Sequence, residues 1–299
     1  MLVNCLRRRG IVVIAAYSLL FFIPTSVFAD IRLTTWNMKH LGRTAQDLDK
    51  VADVLKESDM VLLQEVNSSK SGAAALSDLN RRIRDKSGAR FCIGLSEIPT
   101  DAKERYGMLW REDKLAYVTT SGKPLDSCPE FAVTLRLGAK SADKIIREPA
   151  VGLFLEKSTK RKFWAITIHT VPTAKHPAAE VPYVFDTAQD IAGKLPAIVA
   201  GDFNLSCADP SFKMALLSGF KPALPCEVKT SFKRSAKAMS AAYDNILVRG
   251  LPTGGATVVN LYARFPELSA KEVFNDLSDH APVSVLIETG DVPAAAAVH

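Results

Sequence analysis

The chain has 299 residues, with 38 basic and 32 acidic side chains and a formal charge of +6. Its first 29 residues hold three arginines and no acid, so the remainder sets 35 basic against 32 acidic groups, a balance of +3. Charge this small excludes a strongly basic coat for polyanions, and any such partner must be argued from particular residues.

Taken in chain order, Arg7, Arg8 and Arg9 form a basic head, followed by an uncharged run of 13 residues from Ile11 to Ile23 and by Val27-Phe28-Ala29. The run is shorter than the roughly 20 residues that a membrane-crossing helix needs. Residues 1–29 therefore read as a signal peptide cleaved before Asp30, which predicts a secreted or periplasmic protein without stable membrane association. Residues 30–290 suffice for one large domain, and no repeat or linker divides them. Residues 291–299, with their alanine run, read as a disordered tail. Cys92, Cys128, Cys207 and Cys226 stay behind when the leader and its Cys5 are removed. Four cysteines allow three pairings. Cys207 with Cys226 is preferred because the two flank one loop-rich stretch, which leaves Cys92 with Cys128. Four buried free thiols are the alternative.

Short strands rich in branched and aromatic residues alternate with a few helices. Strands are expected at Ile31 to Trp36, Met60 to Leu63, Phe91 to Leu95, Tyr106 to Trp110 and Leu115 to Thr119. The tetrapeptide Arg111-Glu112-Asp113-Lys114 predicts a hairpin between the last two. Further strands are expected at Phe131 to Leu137, Val151 to Glu156, Phe163 to Ile168, Ala197 to Ala200, Asn245 to Val248, Ala256 to Val259 and Val283 to Glu288. Helices are expected at Asp47 to Lys56, Ala73 to Asp85, Val181 to Lys194 and Ser269 to Asp276. The mixture fits an α/β (α+β) fold in which two sheets pack face to face under helices, although other α/β layouts fit the pattern too.

Polar residues recur where apolar strands stop: Asn37, Gln64-Glu65, His169, Gly201-Asp202-Phe203-Asn204 and Ser278-Asp279-His280. Each alone reads more readily as a turn, cap or structural residue. Together, an Asn, a Glu and two Asp make a hard-oxygen set suited to Mg²⁺ or Mn²⁺ rather than zinc. Two histidines beside such an ion suit phosphodiester hydrolysis, one activating water and one assisting the leaving oxygen. His40, His176 and His299 have no motif context and read as surface residues.

The segments Thr35-Trp36-Asn37, Leu62-Leu63-Gln64-Glu65, Gly201-Asp202-Phe203-Asn204 and Ser278-Asp279-His280 resemble, in order, the motif series of the endonuclease/exonuclease/phosphatase superfamily. Lys103-Glu104-Arg105-Tyr106 with Trp110-Arg111, Arg147-Glu148-Pro149-Ala150 and Tyr243-Asp244-Asn245-Ile246 narrow the resemblance to its deoxyribonuclease I branch. The resemblance implies a four-layered αββα sandwich of two mainly antiparallel sheets, and a metal-dependent nuclease acting on DNA, with RNA or single strands as further substrates. It implies Glu65 as the principal metal carboxylate, with Asn37 and Asp279 close by. Asp202 and Asn204 would position the attacking water and the scissile phosphate. His280 with Asp244, and His169 with Glu104, would form the acid/base pair, and Arg147 would bind the phosphate. Lys39, Arg105 and Asn67 are further candidates for substrate contact, and Tyr243 reads as packing.

The expected cofactor is Mg²⁺ or Mn²⁺, with a structural Ca²⁺ as a further candidate, and the expected state is a monomer. Asn67 and Ala102 stand where that branch carries an arginine and a tyrosine for the minor groove, which weakens duplex grip. Its cysteine before the Tyr-Asp motif is replaced by Ala241. The rivals are a phospholipid or phosphoinositide phosphodiesterase or phosphatase on the same scaffold, and a non-catalytic exported binding or toxin subunit.

Overall fold

Branched and aromatic residues place much of the chain in strands. The computed structural model describes residues 30–99, 103–129, 132–138 and 144–290. Its strands are β1 (Asp30–Leu41), β2 (Met60–Asn67), β3 (Phe91–Ser96), β4 (Glu104–Arg111), β5 (Leu115–Val118), β6 (Val133–Leu137) and β7 (Ala150–Glu156). They continue with β8 (Lys162–His169), β9 (Ala197–Asp202), β10 (Lys221–Pro222), β11 (Asp244–Arg249), β12 (Thr253–Val258) and β13 (Val283–Glu288). The expected signal peptide and tail, and Ala102, lie outside the described residues. No helix among the described residues is long and apolar enough to cross a membrane.

One sheet runs β12-β13-β1-β2-β4-β3 and the other β10-β11-β9-β8-β7, with β5 also on β7. β6 links them, because residues 133–135 pair with β3 and residues 136–137 with β7. Only β1–β2, β3–β6 and β8–β9 are parallel among the named pairs. Alternation sorts the apolar side chains into layers. Leu33, Met60, Met108 and Val285 from the first sheet meet Phe154, Phe163, Ile198 and Ile246 from the second. The opposite faces are covered by helices. α1 (Leu48–Leu55) and α2 (Lys70–Ser87) pack on the first sheet, and α3 (Val181–Ala192) and α4 (Lys213–Leu217) on the second. The expected αββα sandwich is the observed one.

Buried Gln64 ties the two sheets together beneath the strand ends. Its Nε2 donates to Thr35 Oγ1 on β1 (3.0 Å) and to Thr167 Oγ1 on β8 (2.8 Å). Both preferred disulfides form, Cys92–Cys128 and Cys207–Cys226.

The hairpin expected across Arg111 to Lys114 does not form. β4 pairs with β2 and β3, whereas β5 pairs with β7 of the other sheet. Asp59 anchors both ends of the turn, taking Arg111 Nη1 at 3.2 Å and Lys114 Nζ at 2.9 Å. Beyond that anchor Leu115 and Tyr117 enter the core between the sheets. A polar tetrapeptide marks a turn but does not say which sheet the chain rejoins. The helix expected at Ser269 to Asp276 is one α turn, Ala270–Glu272, running into a π turn, Val273–Leu277.

β8 and β9 lie unusually close where the polar residues begin. Gly201 has φ +148°, and a Cβ there would lie 2.0 Å from the carbonyl oxygen of Ile168. Gly201→Ala must push the two strands apart, and we expect a loss of about 3 kcal/mol or more, from backbone clash and strain together. Urea unfolding measures it, and a midpoint equal to that of the wild type would refute the close approach.

Candidate active site

The polar residues singled out in the sequence gather at one end of both sheets. Two irregularities put them there. The β1–β2 register shifts between Asn37 and Leu41, and the β2–β4 register shifts between Leu63 and Val66. Bulges of this kind re-aim side chains that a regular strand would send to alternate faces. Lys39 (φ 45°), His40 (φ 64°), Glu65 (φ 56°) and Asn204 (φ 48°) are all left-handed, which costs each non-glycine residue on the order of 1 kcal/mol.

The Asn37 amide bridges the sheets. Its Nδ2 donates to Glu65 Oε1 on β2 and to Asp202 Oδ2 on β9, both at 3.0 Å. Its Oδ1 accepts from the Lys39 backbone N–H at 2.9 Å, which fixes the orientation of the amide. Asp202 Oδ1 accepts from the Asn204 N–H at 2.8 Å, and Asn204 Nδ2 donates to the Thr170 carbonyl at 3.1 Å.

Two buried imidazoles face this centre. His169 Nδ1 lies 2.7 Å from Glu104 Oε1, and His280 Nδ1 lies 2.8 Å from Asp244 Oδ2. With Nδ1 committed in each, Nε2 points inward, 3.5 Å from Asp202 Oδ2 for His169 and 3.6 Å for His280. Burial alone would push the His280 ring down, but the Asp244 and Asp202 carboxylates outweigh it and hold the ring well above its ordinary value. His169 is raised in the same way, with Glu104 overcoming burial. Burial pushes the Asp244 carboxyl up to about 6, against the pull of His280. Glu65 moves the opposite way: burial is overcome by His40 and His169, and its carboxyl is held well below the usual range.

Arg147 fastens the His169 arm. Its Nη1 donates to Glu104 Oε1 at 3.0 Å and its Nη2 to the Thr170 carbonyl at 2.7 Å. Tyr106, wholly buried, accepts the His169 backbone N–H at 3.1 Å. Of the trio expected to hold a metal, the Glu65 and Asp279 carboxylates have the right donor chemistry, whereas Asn37 turns Nδ2 to Glu65 and keeps Oδ1 on the Lys39 N–H. Asn37 and Glu65 are in contact, and the Asp279 carboxyl is pushed up by burial and by the like charge of Glu65. A divalent cation between such carboxylates relieves that repulsion, so the residues fit the ion. Glu65 also groups with Glu104 and His169, and Asp202 with Asp244 and His280, each set within 4.8 Å.

Three expected substrate contacts are engaged elsewhere. The Lys39 ammonium donates to the Phe274 carbonyl and lies 3.8 Å over that ring. Asn67 Oδ1 accepts from Ser69 N (2.9 Å) and Ser69 Oγ (2.5 Å), a turn that leads into α2. Arg105 lines a separate cleft with Leu95, Ser96 and Thr134.

His40 is exposed, as read above, and its Nδ1 nevertheless lies 2.9 Å from Glu65 Oε2. It sits where the β1–β2 register shifts, an irregularity that alternation does not reveal. His176 is exposed as expected. Tyr243 is partly buried, with its hydroxyl accepting from Thr173 Oγ1 at 3.0 Å. Thr230 and Ser278 also lacked a sequence signal for their roles. Ser278 Oγ donates to the Asn37 carbonyl at 2.6 Å and accepts from His280 N at 3.0 Å. Thr230 Oγ1 donates to Asp244 Oδ2 at 2.7 Å and accepts from the N–H groups of Tyr243 and Asp244.

The sequence profile of the Endonuclease/Exonuclease/phosphatase family matches residues 34–280. A deoxyribonuclease of Thioalkalivibrio sp. (strain K90mix) is 27% identical over 304 residues, covering 95% of this chain and 77% of that protein. Deoxyribonuclease-1 of Bos taurus is 27% identical over 277 residues, covering 86% of this chain and 92% of that protein. Among solved structures, D. rerio TDP2 complexed with a single-strand DNA product aligns with a TM-score of 0.58 at 13% identity, covering 87% of this chain and 100% of that one. That last likeness is one of fold.

Thr230 offers a direct check of the His280 arm. Thr230→Val keeps the shape but removes the acceptor of two backbone N–H groups and one of the two partners of Asp244 Oδ2, leaving that oxygen with His280 Nδ1 alone of the two. We expect a loss of about 2 kcal/mol in urea unfolding. An unchanged midpoint would mean that Thr230 does not carry Asp244.

Proposed function

The chain belongs to the endonuclease/exonuclease/phosphatase family, and from that premise we propose that it is an exported, divalent-metal-dependent nuclease that cleaves DNA. At the coarser level it is a hydrolase of phosphodiester bonds. The observation that carries the proposal is the pair of carboxylate-backed imidazoles, one ending β8 and one preceding β13, that both turn Nε2 toward the same Asp202 carboxylate oxygen.

A divalent cation held by Glu65, with Asn37 and Asp279 beside it, would supply Lewis-acid polarisation of the phosphoryl oxygen. The chain's own residues do the rest. A phosphate seated at Asp202 and Asn204 meets one ring on each side. One imidazole takes the proton of the attacking water as its oxygen bonds to phosphorus. The other protonates the departing sugar oxygen as the old P–O bond breaks. Glu104 and Asp244 hold each ring in the tautomer that presents Nε2 and stabilise the charge it acquires. Arg147 stiffens the Glu104–His169 arm and adds positive charge where the pentavalent phosphorus gathers negative charge.

Asn67 bears on the substrate. Its amide oxygen is taken up by Ser69, so it offers no cation to the minor groove. This favours a nuclease that does not depend on groove insertion and accepts single strands beside duplex DNA.

The decisive assay incubates purified protein with duplex DNA, single-stranded DNA, RNA, sphingomyelin and phosphoinositides, with Mg²⁺ or EDTA. We expect nucleic acid to be cut, EDTA to abolish cutting, and His280→Ala and Glu65→Ala each to lower the rate at least about 10²-fold while melting as folded proteins do. Cleavage of lipid without nucleic acid would sink the nuclease reading. Activity that survives EDTA and both substitutions would sink the mechanism. Asn67→Arg combined with Ala102→Tyr should raise the duplex rate relative to single strands, on the order of 10-fold for a restored groove contact; an unchanged ratio counts against the groove argument.

A further inference from the structure

His40 has no place in the mechanism above, yet it touches the carboxylate on which the metal site depends. Glu65 Oε1 receives the Asn37 amide, and its other oxygen, Oε2, meets His40 Nδ1 at 2.9 Å. Two ligands at right angles on one ion, with bonds of about 2.1 Å, lie about 3.0 Å apart. His40 Nδ1 and Glu65 Oε2 already stand at that separation. The two buried histidines are differently committed, each with Nδ1 on a carboxylate partner of its own, Glu104 or Asp244. Among the described residues His40 has no side-chain partner besides Glu65, and its side chain is 46% exposed, so the ring can shift without disturbing packing. The left-handed backbone at Lys39 and His40 lies in the stretch of β1 where the register on β2 shifts, between Asn37 and Leu41, and this irregularity is what brings the ring there.

We propose that His40 is a ligand of the divalent cation at Glu65, binding through Nδ1 with its remaining proton on Nε2. The inference rests on the metal site proposed above and deepens it. An imidazole nitrogen added to carboxylate oxygens changes which ion the site prefers. Mg²⁺ favours oxygen and sheds water reluctantly, whereas first-row transition ions gain from a nitrogen ligand in the order from Mn²⁺ to Co²⁺ and beyond. The site is therefore tuned to a transition ion over Mg²⁺.

The test is binding and spectroscopy rather than turnover. Affinities for Co²⁺ and Mg²⁺ are measured by calorimetry on the wild type, His40→Asn and Glu65→Ala. Asparagine tolerates the left-handed backbone and can set an amide oxygen where Nδ1 stood, so it removes the nitrogen ligand while keeping an oxygen, and a melting curve confirms folding. We expect His40→Asn to weaken Co²⁺ at least about 10-fold and Mg²⁺ less than about 2-fold. Pulsed electron paramagnetic resonance of the Mn²⁺-loaded wild type should show a directly bound imidazole nitrogen. That signal should vanish in His40→Asn and persist in His169→Gln. A signal that survives His40→Asn, or equal losses for both ions, overturns the assignment of His40 while leaving the Glu65 site standing. Unchanged binding in Glu65→Ala overturns the site itself, and this inference with it. Nucleic-acid cleavage is scored separately, so loss of the nuclease reading is distinguishable from either result.

Discussion

The side-chain amide of Asn37 holds two carboxylates from opposite sheets on one nitrogen, at 3.0 Å each. Everything catalytic in the arrangement depends on that contact being affordable. Glu65 and Asp202 would otherwise repel across a partly dry gap, where charges are poorly screened. The amide tolerates both because its oxygen is anchored on the Lys39 N–H and cannot swing round to present a lone pair to them. Below it, Gln64 repeats the device with neutral partners, linking Thr35 to Thr167 across the same interface. Two side-chain amides thus set the spacing at which β8 and β9 face β1 and β2. That spacing decides how far His280, which precedes β13 of the first sheet, stands from Asp202, whereas His169 is set beside Asp202 by the β8–β9 pairing itself.

Local strain is concentrated where the chemistry is. Lys39, His40, Glu65 and Asn204 are left-handed non-glycine residues, and Gly201 occupies a backbone region that other residues rarely adopt. A regular β2 would bury alternate side chains and send Glu65 to whichever face its parity dictated. Gln64 follows Met60 and Leu62 by regular alternation into the space between the sheets, and the bulge lets its neighbour Glu65 turn to the mouth. The surrounding layers supply the stability that such strain draws on. Trp36 is fully buried in the first sheet's helix-facing layer and donates its indole N–H to the His280 carbonyl at 2.8 Å.

This division explains what could be read from the sequence. The individual strands and helices were legible because period-2 and helical patterns report burial directly, while the αββα layering itself came from the family resemblance. Asn37, Glu65, His169, Asp202, Asn204, Asp279 and His280 were legible because polar side chains at the ends of apolar strands are out of place and their types match one chemistry, whereas Glu104, Arg147 and Asp244 came from the family resemblance alone. His40 was not legible, since its position follows from a left-handed turn that no periodicity encodes. Thr230 was not legible either, because it acts on Asp244 from a loop 14 residues away with no pattern to mark it. The Arg111–Lys114 turn misled for the same kind of reason. Its composition specified a reversal, while the destination of β5 was set by Asp59 behind it and by the core ahead.

The electrostatic balance of the mouth follows from these placements. Each imidazole is raised by a carboxylate behind it and by Asp202 in front, so neither ring is a strong base by isolation; both are held in a field of negative charge. Arg147 places the sole guanidinium among the contacts described here, on the Glu104 side. The two arms are consequently unlike. The His169 arm is a carboxylate shared between a ring and a fixed cation, which leaves less negative charge for the ring. The His280 arm has a carboxylate pushed up by burial and steadied only by the Thr230 hydroxyl and the ring itself. A ring backed by an unshared carboxylate gains more from holding a proton, and a ring whose carboxylate is already paired gains less. Acid and base roles can therefore be divided between two residues of the same type, with the fold providing the asymmetry through Arg147 on one side and its lack among the His280 contacts on the other.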